Sequence, residues 1–260
     1  MIGFVGGGNM AEALIRGMVE GGERDIVVSD PSGERRAHLE KRYGVRTTAD
    51  NTEAVRGCEV VVLAVKPQQM GEVLEEIAPS VTAEHTVVSI AAGITLKFVQ
   101  DRLRSDRVIR AMPNMAAQVG EGMTALALCE CFTGRAVNLV KEMFMASGRV
   151  VVLPEKHIDA VTALSGSGPA FVALFAGAMA EAGERAGLSR RDALALAVQT
   201  LRGTAGLLDE GLDPRELIEK VRSPGGTTAE GLKVFEERGL EEMVFEALEA
   251  ARRRAGELSR

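Results

Sequence analysis

The sequence predicts an α/β protein in which an N-terminal Rossmann-type doubly wound sheet is followed by a C-terminal all-helical domain. Three observations predict it. Up to residue 154, short Val/Ile runs alternate with helical stretches, the pattern of a parallel sheet covered on both faces. A glycine-rich turn, Gly6-Gly7-Gly8-Asn9-Met10-Ala11, follows the first of these runs directly. After Pro154 the strand pattern stops, and the chain reads as helix to Arg260.

Taken in order, Met1–Val5 is a short apolar strand and Met10–Glu20 a helix. Asp25–Asp30 is a second strand, and the charged stretch Glu34–Arg42 a second helix. Glu59–Val65 (EVVVLAV) is apolar without alternation, as a strand buried on both faces must be. His85–Ile90, Arg107–Met112 and Gly148–Leu153 are further strands, with helices at Gln69–Ile77 and Leu96–Leu103. In the helical half, Gly, Ser and Pro punctuate at Ser165–Pro169, Gly187–Ser189, Gly211–Pro214, Ser223–Gly226 and Gly239. The expected domains are 1–154 and 155–260.

Composition narrows the function. With 260 residues, 46% of them hydrophobic, the chain can bury one large core or two modest ones. A net charge of -6 with both signs interspersed argues against a nucleic-acid partner, which would want a basic face. Cys58, Cys129 and Cys131 are an odd set in a chain too large to need staples, which points to a reducing compartment. His38, His85 and His157 stand apart, with no HExxH or paired CxxC, so no metal is expected. The N-terminus goes straight into a strand, so no signal segment is expected. The apolar run Ala170–Ala180 falls short of the roughly 20 residues that span a bilayer. The expectation is a cytoplasmic protein with no membrane partner.

The glycine turn fits GxGxxG/A. Gly6 makes the tight turn, Gly8 lets the backbone approach a pyrophosphate, and Ala11 allows close helix–strand packing. Asn9 and Met10 open the helix whose N-terminus faces the phosphates. A strand before the turn and a helix after it are the context that separates a dinucleotide site from an ordinary glycine turn. Asp30 ends the second strand, where an acid accepts from the adenosine ribose and favours NAD. Ser32, Arg35 and Arg36 follow at once and suit a 2′-phosphate. These residues leave the choice of coenzyme open.

No nucleophile–base set is legible: there is no GxSxG and no histidine near a Ser- or Cys-bearing turn. Two glycine–hydroxyl turns stand out instead. Ser165-Gly166-Ser167-Gly168-Pro169 gathers free backbone N–H groups and hydroxyls at a helix start. Ser223-Pro224-Gly225-Gly226-Thr227-Thr228 precedes Ala229-Glu230, and Thr227 and Glu230 have capping-box spacing. With Thr227 as N-cap, the Thr228 hydroxyl is left for a ligand. Either turn suits a carboxylate.

The segments TALSGSGPAF (Thr162–Phe171) and VRSPGGTTAEGL (Val221–Leu232) resemble the two hallmark segments of pyrroline-5-carboxylate reductases. So do AVKP (Ala64–Pro67), AAG (Ala91–Gly93) and MPN…VGEGMTAL (Met112–Leu126), in order along the chain from Gly6 to about Phe235. The resemblance implies reduction of a cyclic imine to L-proline by NADPH, with NADH a competitor, in a homodimer or a higher homo-oligomer. It implies cofactor contacts at Gly6, Gly8, Asn9, Met10 and Ala11, at Asn51, at Ala64, Val65, Lys66 and Pro67, and near Ala92 and Asn114. Substrate contacts would come from Ser223, Gly225, Gly226, Thr227 and Thr228, with Glu155 nearby and Thr228 the catalytic hydroxyl. It further implies that the substrate loop of one chain serves the coenzyme of its partner. The chain departs from the family pattern at Met115 and Ala116, at Arg222, and at Asp30, where a phosphate-tolerant residue would suit NADPH. A hydroxyacid dehydrogenase of the same plan would need a lysine on the first long helix of the second domain, and Ala170–Gly183 has none. A non-catalytic NAD(P) sensor would have no need of the Ser223–Thr228 loop.

Overall fold

Eight strands form one sheet in the computed structural model, which describes residues 1–129 and 132–259. Cys131 and Arg260 lie outside the described residues. The strands are β1 (Ile2–Val5), β2 (Ile26–Ser29), β3 (Arg46–Thr48), β4 (Val60–Leu63), β5 (Thr86–Ser89), β6 (Val108–Met112), β7 (Gly122–Leu128) and β8 (Gly148–Val152). Their order is β3-β2-β1-β4-β5-β6-β7-β8. The sequence order reverses at β1, which pairs in parallel with β2 on one side and β4 on the other. This is the switch point at which doubly wound sheets open a ligand crevice beyond their carboxyl ends.

Two features differ from the sequence expectation. The sheet is not wholly parallel: β7 runs antiparallel to β6, with Met112 opposite Ala125. The return is short because Met115–Val119 is a single 3-10 turn closed at Gly120 with positive φ. β3 and β7 also escape the Val/Ile reading. β3 is three residues long, and β7 (GMTALAL) has no Val or Ile.

Alternation along the strands sends successive side chains to opposite faces. Ile2, Phe4, Ile26, Val28, Val60 and Val62 pack on one face with α1 (Asn9–Glu20), α2 (Gly33–Tyr43) and α6 (Arg135–Met145). Val5, Val27, Val61, Leu63 and Val87 pack on the other with α3 (Asn51–Val55), α4 (Met70–Ile77) and α5 (Leu96–Leu103). Each such fully buried Val, Leu or Ile contributes about 1.5–3 kcal/mol. Burial on both faces explains why these strands lack polar alternation.

The chain divides into two compact units, Met1–Ser167 together with the end of the last helix from Ala250 onward, and Gly168–Glu249. In the first unit, α7 (Ile158–Val161) runs into a π-turn over Thr162–Gly166. Leu258 packs on Gly93, where a Cβ would lie 2.6 Å from the Leu258 carbonyl oxygen. Ser259 donates to Asp159 at 3.2 Å.

The second unit consists of α8 (Gly168–Arg185), α9 (Arg190–Asp209), α10 (Pro214–Val221), α11 (Thr227–Glu237) and the first half of α12 (Leu240–Leu258). Ser189 caps α9 by accepting from the Asp192 N–H, and Asp213 caps α10 ahead of Pro214. α8 meets α9 through Ala180, Ala193 and Ala197, small residues that permit close approach. Much of the remaining apolar surface is uncovered, with Leu174 75% exposed. By length and composition alone, the helical stretch Glu155–Arg185 is long and apolar enough to cross a membrane.

Candidate active site

The glycine turn lies at the sheet's switch point. Gly6 leaves β1 with φ +97, and a Cβ there would sit 2.7 Å from the carbonyl oxygen of Ala64, the first residue after β4. The turn therefore closes against Ala64 and Val65, bringing together two segments more than fifty residues apart in the sequence. Gly8 is the N-cap of α1, in extended conformation with no side-chain cap. A Cβ on Gly8 would meet nothing within 4 Å, so the space before the helix is open. Uncapped N–H groups, the positive end of the helix dipole and open space together fit a dinucleotide pyrophosphate. Asn9 and Met10 start the helix, and Ala11 is fully buried against the sheet.

Asp30 braces this turn. Its Oδ2 accepts from the Gly7 N–H at 3.0 Å and its Oδ1 from the Ser32 N–H at 2.9 Å. Arg35 donates through Nε to the Gly7 carbonyl and through Nη2 to the Gly8 carbonyl at 3.2 Å. The same Nη2 lies 2.5 Å from Glu12 Oε2. Glu12 Oε1 is also bonded by His38 Nε2 at 2.8 Å and by the Tyr43 hydroxyl at 2.9 Å. Burial by itself would raise the Glu12 pKa, but the bonds from His38, Tyr43 and Arg35 outweigh it and lower the carboxyl to about 2.

This cluster was not legible in the sequence, where His38 read as isolated. Arg35 and His38 share a face of α2 three residues apart, which is the one signal available. The depressed pKa stabilises the fold above the ordinary 4.5, and that contribution is lost as pH falls toward about 2. Glu12→Gln is therefore expected to be less stable than the parent at pH 7, by about 1–3 kcal/mol. The difference should shrink near pH 2.5, as urea denaturation at the two pH values will show.

Asn51 opens α3 beside the end of β2. Its Oδ1 accepts from the Ser29 hydroxyl at 2.7 Å and its Nδ2 donates to Glu76 at 2.8 Å. Ala92 is exposed in the turn after β5. Asn114 donates to the Ser165 carbonyl and hydroxyl at 3.3 Å and accepts from the Met123 N–H at 3.1 Å, so it ties the first glycine–hydroxyl turn to β7. Glu155 Oε1 accepts from the Leu96 N–H at 2.7 Å and from Arg110 at 3.1 Å. Arg110, 4% exposed, also faces Asp159 at 3.8 Å. Cys58 offers no nucleophile: it is buried, and burial pushes its thiol up to about 11.

The second glycine–hydroxyl turn corrects one expectation. Thr227 does not cap α11. Gly226 is the N-cap, no side chain closes it, and Thr227 and Thr228 are the first two helical residues. The Glu230 N–H already bonds the Gly226 carbonyl at 3.3 Å, which moves the helix start one residue ahead of the capping-box register. The turn before it is tight. Gly225 has φ +68, the Gly226 N–H bonds the Ser223 carbonyl at 3.0 Å, and a Cβ on Gly226 would lie 2.3 Å from the Ser223 hydroxyl. Thr227 is exposed and Thr228 half-buried.

The pyrroline-5-carboxylate reductase dimerisation family matches residues 155–258, and the family of NADP oxidoreductases described as coenzyme F420-dependent matches residues 1–93. A pyrroline-5-carboxylate reductase of Synechocystis sp. is 43% identical over 263 aligned residues, covering 100% of this chain and 98% of the relative. The chain belongs to the pyrroline-5-carboxylate reductase family. The solved pyrroline-5-carboxylate reductase of Coxiella burnetii superposes with a TM-score of 0.94 at 38% identity, covering 100% of this chain and 98% of that one. The Plasmodium falciparum pyrroline carboxylate reductase, solved with NADP bound, gives 0.88 at 29% identity, covering 100% and 98%.

Membership makes the chain an NAD(P)H-dependent oxidoreductase with the Rossmann-like and helical domains expected from its sequence. The family's dimerisation domain accounts for the apolar helices left uncovered in the single chain, whose functional form is a homodimer.

Proposed function

We propose that this chain reduces the cyclic imine 1-pyrroline-5-carboxylate to L-proline. The observation that carries the reading is the end-to-end match, at 43% identity, to a relative bearing that activity in its name. The coenzyme, when bound, supplies the hydride. The protein's task is mainly positional, because a protonated imine is already electrophilic and needs its imine carbon held close to the hydride donor. Gly6, Gly8, Asn9, Met10 and Ala11 hold the pyrophosphate, and Asp30 the adenosine ribose. Asn51, Ala64, Val65, Lys66, Pro67, Ala92 and Asn114 complete the coenzyme set.

On the substrate side, Ser223, Gly225, Gly226, Thr227 and Thr228 present first-turn N–H groups of α11 to the substrate carboxylate. The Thr228 hydroxyl meets the ring nitrogen. Glu155 belongs to this set, with its Oε1 committed to Leu96 and Arg110. We place the domain boundary at 154/155, just after β8 ends at Val152. We further read the protein as cytoplasmic, with no nucleic-acid or membrane partner, and its homodimers as the unit of any higher homo-oligomer.

Coenzyme absorbance tests the activity. Oxidation should require 1-pyrroline-5-carboxylate, and its absence with both coenzymes across pH 6–8.5 would overturn the reading. Thr228→Ala removes a hydrogen bond to a charged group, worth about 1.5–3 kcal/mol, so kcat/KM should fall about 10- to 150-fold and Thr228→Ser should restore most of it. Thr227→Ala, at a position that caps nothing, should leave the melting temperature nearly unchanged.

A further inference from the structure

The cations that follow β2 are already engaged. A 2′-phosphate on the adenosine ribose would arrive at the end of β2, beside Asp30, since ribose recognition in this fold falls to the residue there. Asp30 does not swing aside, because each of its oxygens accepts from a backbone N–H, those of Gly7 and Ser32. The Ser32 hydroxyl accepts from the Arg35 N–H at 3.2 Å as the cap of α2. Arg36 Nη1 donates to the Asp30 carbonyl at 2.7 Å and to the Pro31 carbonyl at 3.2 Å. Arg35 is turned inward onto the Gly7 and Gly8 carbonyls and onto Glu12. Glu12 cannot follow Arg35 outward, since His38 and Tyr43 hold its other oxygen.

We propose that this chain selects NADH over NADPH, and that Glu12 sets the preference by holding Arg35 away from the 2′-phosphate. The inference rests on the coenzyme reading above and deepens it. Two arrangements act in the same direction. The Asp30 carboxylate accepts from the 2′-hydroxyl of NADH but repels the 2′-phosphate of NADPH. The arginine best placed to offset that repulsion is neutralised by Glu12, a residue of α1 outside the glycine turn's own signature. The resemblance that suggested NADPH carries no information on this pairing, which joins residues on two different helices.

The experiment is direct binding to the full-length protein, read by the fluorescence of NADH and NADPH on titration, without turnover. The parent should bind NADPH at least about tenfold more weakly than NADH, a difference of about 1.4 kcal/mol. Asp30→Ser should narrow the ratio of the two dissociation constants about tenfold or more. Glu12→Gln should narrow it about three- to tenfold by releasing Arg35, and adding Arg35→Ala to that variant should cancel the gain. Arg35→Ala alone should leave the ratio nearly unchanged, and it tests the same point should Glu12→Gln fold poorly. Equal or tighter binding of NADPH by the parent would overturn the inference. A large loss of NADPH binding in Arg35→Ala would overturn the role given to Glu12. Failure of both coenzymes to bind would instead overturn the coenzyme reading itself, and the inference with it.

Discussion

Replacing Gly8 by valine is expected to weaken coenzyme binding about a hundredfold or more while the fold stands. Gly8 takes φ -64 and ψ -177, a conformation open to any residue. A Cβ there has nothing within 4 Å, so the side chain starts in open space. Its atoms fill the space before α1, where the pyrophosphate must lie to reach the helix N–H groups. Losing two such charge-assisted bonds, at about 1.5–3 kcal/mol each, is enough for the hundredfold effect. The stability cost is that of a poor N-cap, about 1 kcal/mol.

Gly6→Val should behave differently. Its φ of +97 and the Ala64 carbonyl 2.7 Å from the added Cβ make it costly to the fold itself, by about 2–5 kcal/mol. Thermal melting and coenzyme titration on both variants separate the two roles. Equal destabilisation by both would mean that Gly8 serves the turn and not a ligand.

Leu174→Glu is expected to convert the dimer to monomers. Leu174 is the most exposed of the large apolar residues on α8, and Phe171, Val172 and Phe175 near it are also uncovered. A helix apolar on all sides must be buried on all sides, and a unit of this size has too little interior to do so alone. In a two-fold interface each substitution places a charge at two related positions. Burying an unpaired carboxylate costs several kcal/mol, so the dimer dissociation constant should rise about a thousandfold or more. Sedimentation at micromolar concentration reads the mass directly. A variant that remains dimeric would mean that α8 lies outside the interface.

Much of this was legible from local pattern alone. β1, the glycine turn and α1 follow from an apolar run, a GxGxxG/A spacing and a 3.6-residue period, all within twenty residues. In the helical half, the breaks read at Gly187–Ser189, Gly211–Pro214, Ser223–Gly226 and Gly239 separate the observed helices because Gly, Pro and Ser act locally, whereas Ser165–Pro169 does not interrupt the helical stretch Glu155–Arg185, which passes it by a π-turn over Thr162–Gly166. What escaped was set by long-range contact. β7 is a strand because β6 and β8 flank it, although its own residues, Ala, Leu and Met, favour helix as much. The Glu12 cluster joins residues 23 to 31 positions apart, and no period marks such a pairing. The Thr227 register failed by one residue because a glycine can serve as N-cap, and spacing alone does not tell it from the threonine that follows.

The reaction proposed for this chain transfers hydride from NAD(P)H to the imine carbon of 1-pyrroline-5-carboxylate. Coenzyme deuterated at the transferring position of nicotinamide C4, incubated with the imine and the full-length protein, tests it most directly by mass spectrometry of the product. The product should be L-proline carrying one deuterium, at the carbon that was the imine carbon. Coenzyme oxidation without proline, or proline formed without deuterium, would contradict it.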